Sequence, residues 1–235
     1  MHLNKNDYIE LYNKHEKPAS TLYHKYVSKK LAKFFTYYFL KLNITPNMMS
    51  LSTFFLTVLA SFFLISFNNN FGIILFLLIL QFSYVIDCSD GVVARITEKS
   101  SKFGAFFDVT LDRINTILVF FSIGLYYHIN YSFDTTSIIL YVSCSLLFLN
   151  YHFMSSLRPF YFPELKGYMK AKVDKKTLPT KILKIIYEFI DTGIFYFILS
   201  ISLLFKIELY VVGFFGFLGF LLSSAMYIFL YKHKV

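Results

Sequence analysis

Four aspartates, Asp87, Asp90, Asp108 and Asp112, fall within the stretch from Val85 to Asn115. Asp87 and Asp90 are three residues apart and Asp108 and Asp112 four apart, so each pair shares one face of a helix. Carboxylate oxygens are the ligands that Mg2+ and Mn2+ prefer, and the quartet reads as a seat for one or two such ions. Gly91 inside a helix costs close to ~1 kcal/mol relative to alanine. It therefore marks a place where a ligand or another backbone comes close. Ala94 extends that small-residue face, and Gly104 does likewise on the facing segment. Packing between small residues explains each glycine equally well when taken alone. Arg95, one turn beyond the first pair of acids, is suited to hold a phosphate. Together these residues describe a site for a pyrophosphate ester.

The elements that must carry these residues are set by composition. The chain has 235 residues, of which 56% are apolar, 21% aromatic and only 16% charged. Soluble domains hold about 25% charged residues, so a soluble enzyme is excluded. Apolar blocks approach the ~20 residues needed to cross a bilayer, and six segments qualify, near Pro46–Phe67, Phe71–Arg95, Phe103–Tyr127, Thr136–Leu157, Ile185–Phe205 and Leu209–Leu230. The expected fold is an all-α integral membrane protein, with six transmembrane helices preceded by an N-terminal amphipathic interfacial helix. In domain terms, residues 1–44 form a cytoplasmic or interfacial segment and 45–235 a six-helix catalytic domain. Within the first unit, Ser20 to Leu42 mixes Lys25, Lys29, Lys30 and Lys33 with Leu22, Tyr26, Leu31, Phe34 and Phe35. Such a basic helix with an aromatic face suits anionic headgroups; a helix packed on the bundle is the plainer alternative. Cys88 and Cys144 lie inside apolar blocks and provide neither a disulfide framework nor a zinc spacing. The polar start, Met1 to Lys17, has no apolar core of a removable signal peptide.

Lysine and arginine orient the spans. With six crossings, 21 of the 23 basic residues fall on one side, leaving Lys206 opposite and Arg113 within a span. The positive-inside rule then places both termini and the acid cluster toward the cytoplasm. The expected location is a bacterial inner (cytoplasmic) membrane, and no nucleic-acid partner is expected. At 1.5 Å per residue, Asp87 lies roughly 12 Å, and Asp112 roughly 13 Å, inside the cytoplasmic ends of antiparallel helices. An ionised aspartate at membrane depth costs about 2.5–3.5 kcal/mol even on a forgiving scale. Pairing with Arg95 and Arg113 is the structural alternative to metal, but two cations do not neutralise four anions.

The pattern Asp87-x2-Asp90-Gly91-x2-Ala94-Arg95-x8-Gly104-x3-Asp108-x3-Asp112 resembles, at every specified position, the signature of the CDP-alcohol phosphotransferases. Thr45-Pro46-Asn47 also looks like that family's opening of the first span, with Ser50 where a threonine is frequent. The resemblance implies transfer of a phosphoalcohol unit from a CDP-linked donor to an acceptor hydroxyl, with release of CMP. It implies that Asp87, Asp90, Asp108 and Asp112 bind two Mg2+ or Mn2+ ions and that Asp112 is also the general base. Asn47, Ser50, Gly91, Ala94, Arg95 and Gly104 would border the CDP donor. Homodimers are common among such proteins, though no residue here specifies one.

The acceptor is the open term. Arg158, Lys181 and Lys184 are cations suited to an acceptor phosphate, although ordinary positive-inside charge accounts for them too. The surrounding connection lacks the patterns of phosphatidylglycerophosphate, phosphatidylinositol-phosphate and phosphatidylserine synthases. Asp191 and His152 could touch a polyol, with a buried, satisfied side chain the plainer reading. The favoured activity joins CDP-diacylglycerol to a small polar alcohol among membrane lipids, in phospholipid biosynthesis. One alternative is a soluble CDP-alcohol (CDP-choline, CDP-ethanolamine or a CDP-polyol) donating its headgroup phosphate to a lipid or polyol. Another is a cation transporter whose intramembrane acids bind the cargo.

Overall fold

The computed structural model describes residues 4–17, 21–67, 69–131, 133–161 and 191–233, and every regular element among them is helical. In chain order these are α1 (Lys5–His15), a π-helical turn (His24–Ser28) running into α2 (Lys29–Lys41), α3 (Pro46–Phe67) and α4 (Asn70–Ile96). They continue with α5 (Lys102–Tyr131), α6 (Thr135–Tyr161), α7 (Thr192–Phe205) and α8 (Glu208–His233). Four are long and apolar enough to cross a membrane: Pro46–Phe67, Asn70–Ile96, Thr135–Ser156 and Glu208–Ile228. The expected third span, α5, has 30 residues and is about 45 Å long. Asp108, Asp112 and Arg113 keep its first half from being apolar throughout. The apolar α7 is 14 residues long, and the expected start of that span at Ile185 lies outside the described residues.

Local chemistry fixes the helix ends. The Thr45 hydroxyl accepts from Met48 N at 3.3 Å, and Pro46 fills the first helical position, where a missing N–H is harmless. Asn69 caps α4 by accepting from Gly72 N at 3.0 Å. At its other end Lys99 N donates to the Ala94 carbonyl at 2.9 Å, with Glu98 in the left-handed conformation at φ 55°. That pattern stops the helix and reverses the chain. Ser101 restarts it, accepting from Gly104 N at 2.9 Å. The acids are thus brought to one end of the bundle by a connection of only five residues between α4 and α5.

The main core lies toward the other end. Phe76 and Leu80 of α4, Phe120 and Ile123 of α5, Phe148 of α6, Phe195 of α7 and Phe215 of α8 are buried together there. At the acid end a second cluster joins Tyr8 and Tyr12 of α1, Leu40 of α2, Met49 of α3 and Val92 and Val93 of α4. The helix α1 was not foreseen, because its polar sequence hides two tyrosines four residues apart that are buried on one face. The α2 helix packs on α4 along a stripe of Ala32, Thr36 and Leu40, while Leu31, Phe34 and Tyr38 stay exposed beside its lysines. It is both packed on the bundle and amphipathic on its outer face.

Contact between α6 and α8 depends on Gly216 and Gly219. A Cβ at Gly216 would stand 2.6 Å from Cys144 Cβ, and one at Gly219 would stand 2.7 Å from Phe148 Cα. Gly213, on the same helix, has nothing within 4 Å. Gly219→Ala is therefore expected to destabilise the protein by about 1–3 kcal/mol, whereas Gly213→Ala is neutral or stabilising. Thermal unfolding in detergent, both variants beside the parent, checks this.

Candidate active site

Three helix ends converge around the acids: the start of α3, the end of α4 and the start of α5. Carboxylate oxygens of Asp87, Asp90 and Asp108 lie within 4.8 Å of one another, a spacing that one divalent ion or a pair can bridge. The Ser50 hydroxyl is 2.9 Å from Asp90 Oδ2 and 3.1 Å from Asp108 Oδ1, and is itself buried. With one proton it donates to one carboxylate at a time, so it ties α3 to both acids without neutralising either. Asp112 is outside this group of three. It stands against Asp87 on the wall of a separate small chamber.

Among the described residues no lysine or arginine forms an ion pair with any of the four; the ion pair present is Lys29–Glu16, at 2.9 Å in the N-terminal segment. The arginines expected to compete with metal are engaged elsewhere. Arg95 donates through Nε to the carbonyl of His15 at 2.7 Å, which fastens the C-terminal residue of α1. Arg113 donates to the Ser156 hydroxyl. Closely set carboxylates, Asp90 buried and the others half-buried, with no ion-pair partner among the described residues, fit a hard divalent ion, because withdrawing such charges from water unpaired is costly.

On one side of the acids lies a cleft of about 230 Å³. All six residues expected beside the donor, Asn47, Ser50, Gly91, Ala94, Arg95 and Gly104, line it together with Asp90 and Asp108. A Cβ on Gly91 would stand 3.3 Å from Nη1 of Arg95, so the absent side chain gives the guanidinium its place. The N-termini of α3 and α5 open on to the same cleft, and free amide groups at helix starts favour anions. Sequence reasoning missed Lys17, Lys99, Ser100 and Ser101, which also line it. Three of these occupy the eight-residue gap of the motif, where spacing says nothing of side-chain direction. Lys17 arrives through the folding of α1.

On the other side is a chamber of about 30 Å³, walled by Asp87, Asp112, Arg113, Asn115, Tyr196 and hydroxyl-bearing neighbours. Of its residues the sequence singled out Asp87 and Asp112 as metal ligands and Arg113 as a competing cation, while Thr53, Asn115 and Tyr196 join them only through the packing of α3, α5 and α7. Asp191 caps α7, accepting from Gly193 N at 3.0 Å, and is held by Thr21 at 2.7 Å and Tyr84 at 3.1 Å. Burial and then the Asp191 charge push the neighbouring Tyr23 phenol up to about 12. Asp191 is thus a satisfied structural side chain, as the plainer reading held. His152 is buried, with Nε2 unpartnered among the described residues. Arg158 lies in the last turns of α6, and Lys181 and Lys184 lie outside the described residues.

A family model for CDP-alcohol phosphatidyltransferases matches residues 43–223. The chain belongs to that family, and its apolar helices fit a membrane protein. It is 39% identical over 90 residues to an uncharacterized protein of Aquifex aeolicus, covering 38% of this chain and 44% of that one. It is 40% identical over 84 residues to an archaetidylinositol phosphate synthase of Pyrococcus horikoshii, covering 36% of this chain and 43% of the relative. The chain therefore matches less than half the length of either relative.

Replacing Asp90 or Asp108 by asparagine is expected to weaken Mn2+ binding by roughly 10- to 100-fold. Asp191→Asn should leave it unchanged, because that carboxylate serves the α7 cap. Titration of the purified protein followed by Mn2+ electron paramagnetic resonance reads both.

Proposed function

We propose that this protein is a membrane phosphotransferase that moves a phosphatidyl unit from a CDP-linked lipid such as CDP-diacylglycerol to the hydroxyl of a small polar alcohol, releasing CMP. The observation that carries the reading is the cleft in which Arg95, Gly91, Gly104 and two helix N-termini face Asp90 and Asp108. Exposed Met48 and Leu51 on α3, and Phe103 and Phe106 on α5, flank that polar cleft with apolar surface. This favours a lipid-linked donor over a soluble one. The α5 and α7 helices complete six spans, with both termini and the cleft on the cytoplasmic side; the one-sided distribution of 21 of 23 basic residues supports this arrangement.

Asp87, Asp90 and Asp108, with Asp112 beside them, would hold two Mg2+ or Mn2+ ions, which neutralise charge on the diphosphate when bound. Arg95 and the helix N-termini orient the donor phosphates, and Asn47 and Ser50 set the wall opposite. Asp112, on the far side of the cluster from the cleft, takes the proton of the acceptor hydroxyl. The acceptor oxygen forms a bond to the phosphorus bearing the lipid, the bond from that phosphorus to the CMP oxygen breaks, and CMP leaves through the cleft into water. Lys17 and Lys99 at the cleft offer positive charge along that exit. The Pyrococcus relative's name makes inositol phosphate the first acceptor to try. Family membership leaves the cation-transport alternative without support.

CMP release is expected with CDP-diacylglycerol and a divalent ion, and not with CDP-choline or CDP-ethanolamine. A preference for the soluble donors would reverse the assigned roles, and inertness with every cytidine-activated donor would end the reading. Asp112→Asn should lower turnover by roughly 10²–10⁴-fold while CDP-donor binding persists; retained turnover refutes the base assignment. Arg158→Ala should raise KM for a phosphorylated acceptor about tenfold, and an unchanged KM would return Arg158 to topological charge.

A further inference from the structure

The chamber beside Asp87 and Asp112 is lined by polar side chains, shares no lining residue with the cleft, and is unevenly satisfied. Most of its hydroxyls are engaged: Thr53 donates to the Ser50 carbonyl at 2.7 Å, Ser83 to the Thr53 carbonyl at 3.2 Å and Thr116 to the Asp112 carbonyl at 2.8 Å. Tyr84 is turned to Asp191. Two groups are not engaged. Asn115 spends its Nδ2 on the Thr53 hydroxyl at 3.2 Å, and its Oδ1 is buried with no partner among the described residues. Arg113 is held through Nη2 by Ser156, and its Nε is likewise buried with no partner among the described residues. Asn115 is only 5% exposed, and a buried acceptor left unmade costs about 1–3 kcal/mol. An orphan acceptor and an orphan donor on the wall of one cavity, next to the proposed base, mark a place that a ligand completes.

We infer that this chamber is the subsite for the reacting end of a polyol acceptor, with Asn115 and Arg113 as its recognition groups. This rests on the transferase reading above. A hydroxyl both donates and accepts, so a ligand carrying several serves Asn115 Oδ1 and Arg113 Nε alike. An ammonium group only donates, so an amine-terminated alcohol leaves Arg113 Nε without an acceptor, whereas a second hydroxyl supplies one. The chamber's volume of about 30 Å³ holds about two waters. It admits a hydroxyl-bearing carbon and not a whole sugar, leaving any phosphate on the acceptor outside it. The attacking oxygen then sits against Asp112, while the donor lies across the acids in the cleft, so the two substrates reach the metal seat from opposite sides. Tyr196, buried and 3.5 Å from the Thr116 hydroxyl, closes the chamber from α7.

The test uses the full-length protein in detergent with CDP-diacylglycerol, Mn2+ and a panel of glycerol, glycerol phosphate, inositol, inositol phosphate, serine and ethanolamine. The wild type is expected to release CMP with one or more polyols and not with serine or ethanolamine. Asn115→Ala and Arg113→Gln should each raise KM for that polyol roughly tenfold, with the thermal shift induced by CDP-diacylglycerol unchanged. Should Asn115→Ala fail to fold, Asn115→Ser keeps a smaller polar group and should show the same KM effect. Unchanged polyol KM in folded variants, or a wild-type preference for serine or ethanolamine, overturns the chamber assignment and leaves the transferase reading standing. Absence of CMP release from the wild type with every donor overturns both.

Discussion

Half-buried carboxylates gathered between helices, with no ion pair to a cation among the described residues, constrain the rest of this molecule. Asp87, Asp90 and Asp108 meet within 4.8 Å, and the nearest polar help is the Ser50 hydroxyl. In a medium that solvates charge poorly, such a cluster is tolerable only when a ligand of opposite charge is present or within reach. The packing around it keeps Arg95 and Arg113 from collapsing on to the acids. Arg95 is drawn off by the last carbonyl of α1, at a helix C-terminus where a cation is favoured. Arg113 is drawn off by Ser156 on α6. Both remain near enough to bias the site electrostatically without occupying it.

The cluster also divides space. The cleft on the Asp90 and Asp108 side is walled by helix ends, small residues and an arginine. The chamber on the Asp87 and Asp112 side is narrow and lined with hydroxyls and an amide. A reaction that joins two substrates at one phosphorus requires such an arrangement: the entering oxygen and the leaving oxygen on opposite faces, with the charge-bearing groups between them. In the proposed reaction the spacing of the acids would set the geometry of both approaches.

Much of this was legible in the residues. Helical periodicity put the acids of each pair on common faces, and apolar run length located α3, α4, α6 and α8 nearly to their ends. The gathering of Asn47, Ser50, Gly91, Ala94, Arg95 and Gly104 around one cleft was legible because their spacing follows a shared motif. What was hidden depended on contacts between segments remote in sequence. Tyr8 and Tyr12 look like ordinary polar-helix residues until α4 is there to bury them. The use of Arg95 Nε on His15 links residues 80 positions apart, and no local pattern encodes it. Asp112 shares a helix face with Asp108, yet one helical turn carries it past the group of three and into the chamber. The orphaned ends of Asn115 and Arg113 depend on which neighbouring hydroxyls are already engaged, as those of Thr53, Ser83 and Thr116 are, and no local pattern records that.

The hydrogen bond from Thr21 to Asp191 spans 170 residues of chain. Ribosomes make Thr21 early and Asp191 late, so the leading segment can dock on α4 through Tyr8, Tyr12 and Arg95 before the partner of Thr21 exists. Only when α7 emerges can Thr21 and Tyr84 close on its cap and Gln81 donate to the Gly193 carbonyl. The latch on to α7 is thus among the last contacts of that segment to close, and a chain truncated before α7 would leave it held by α4 without that latch.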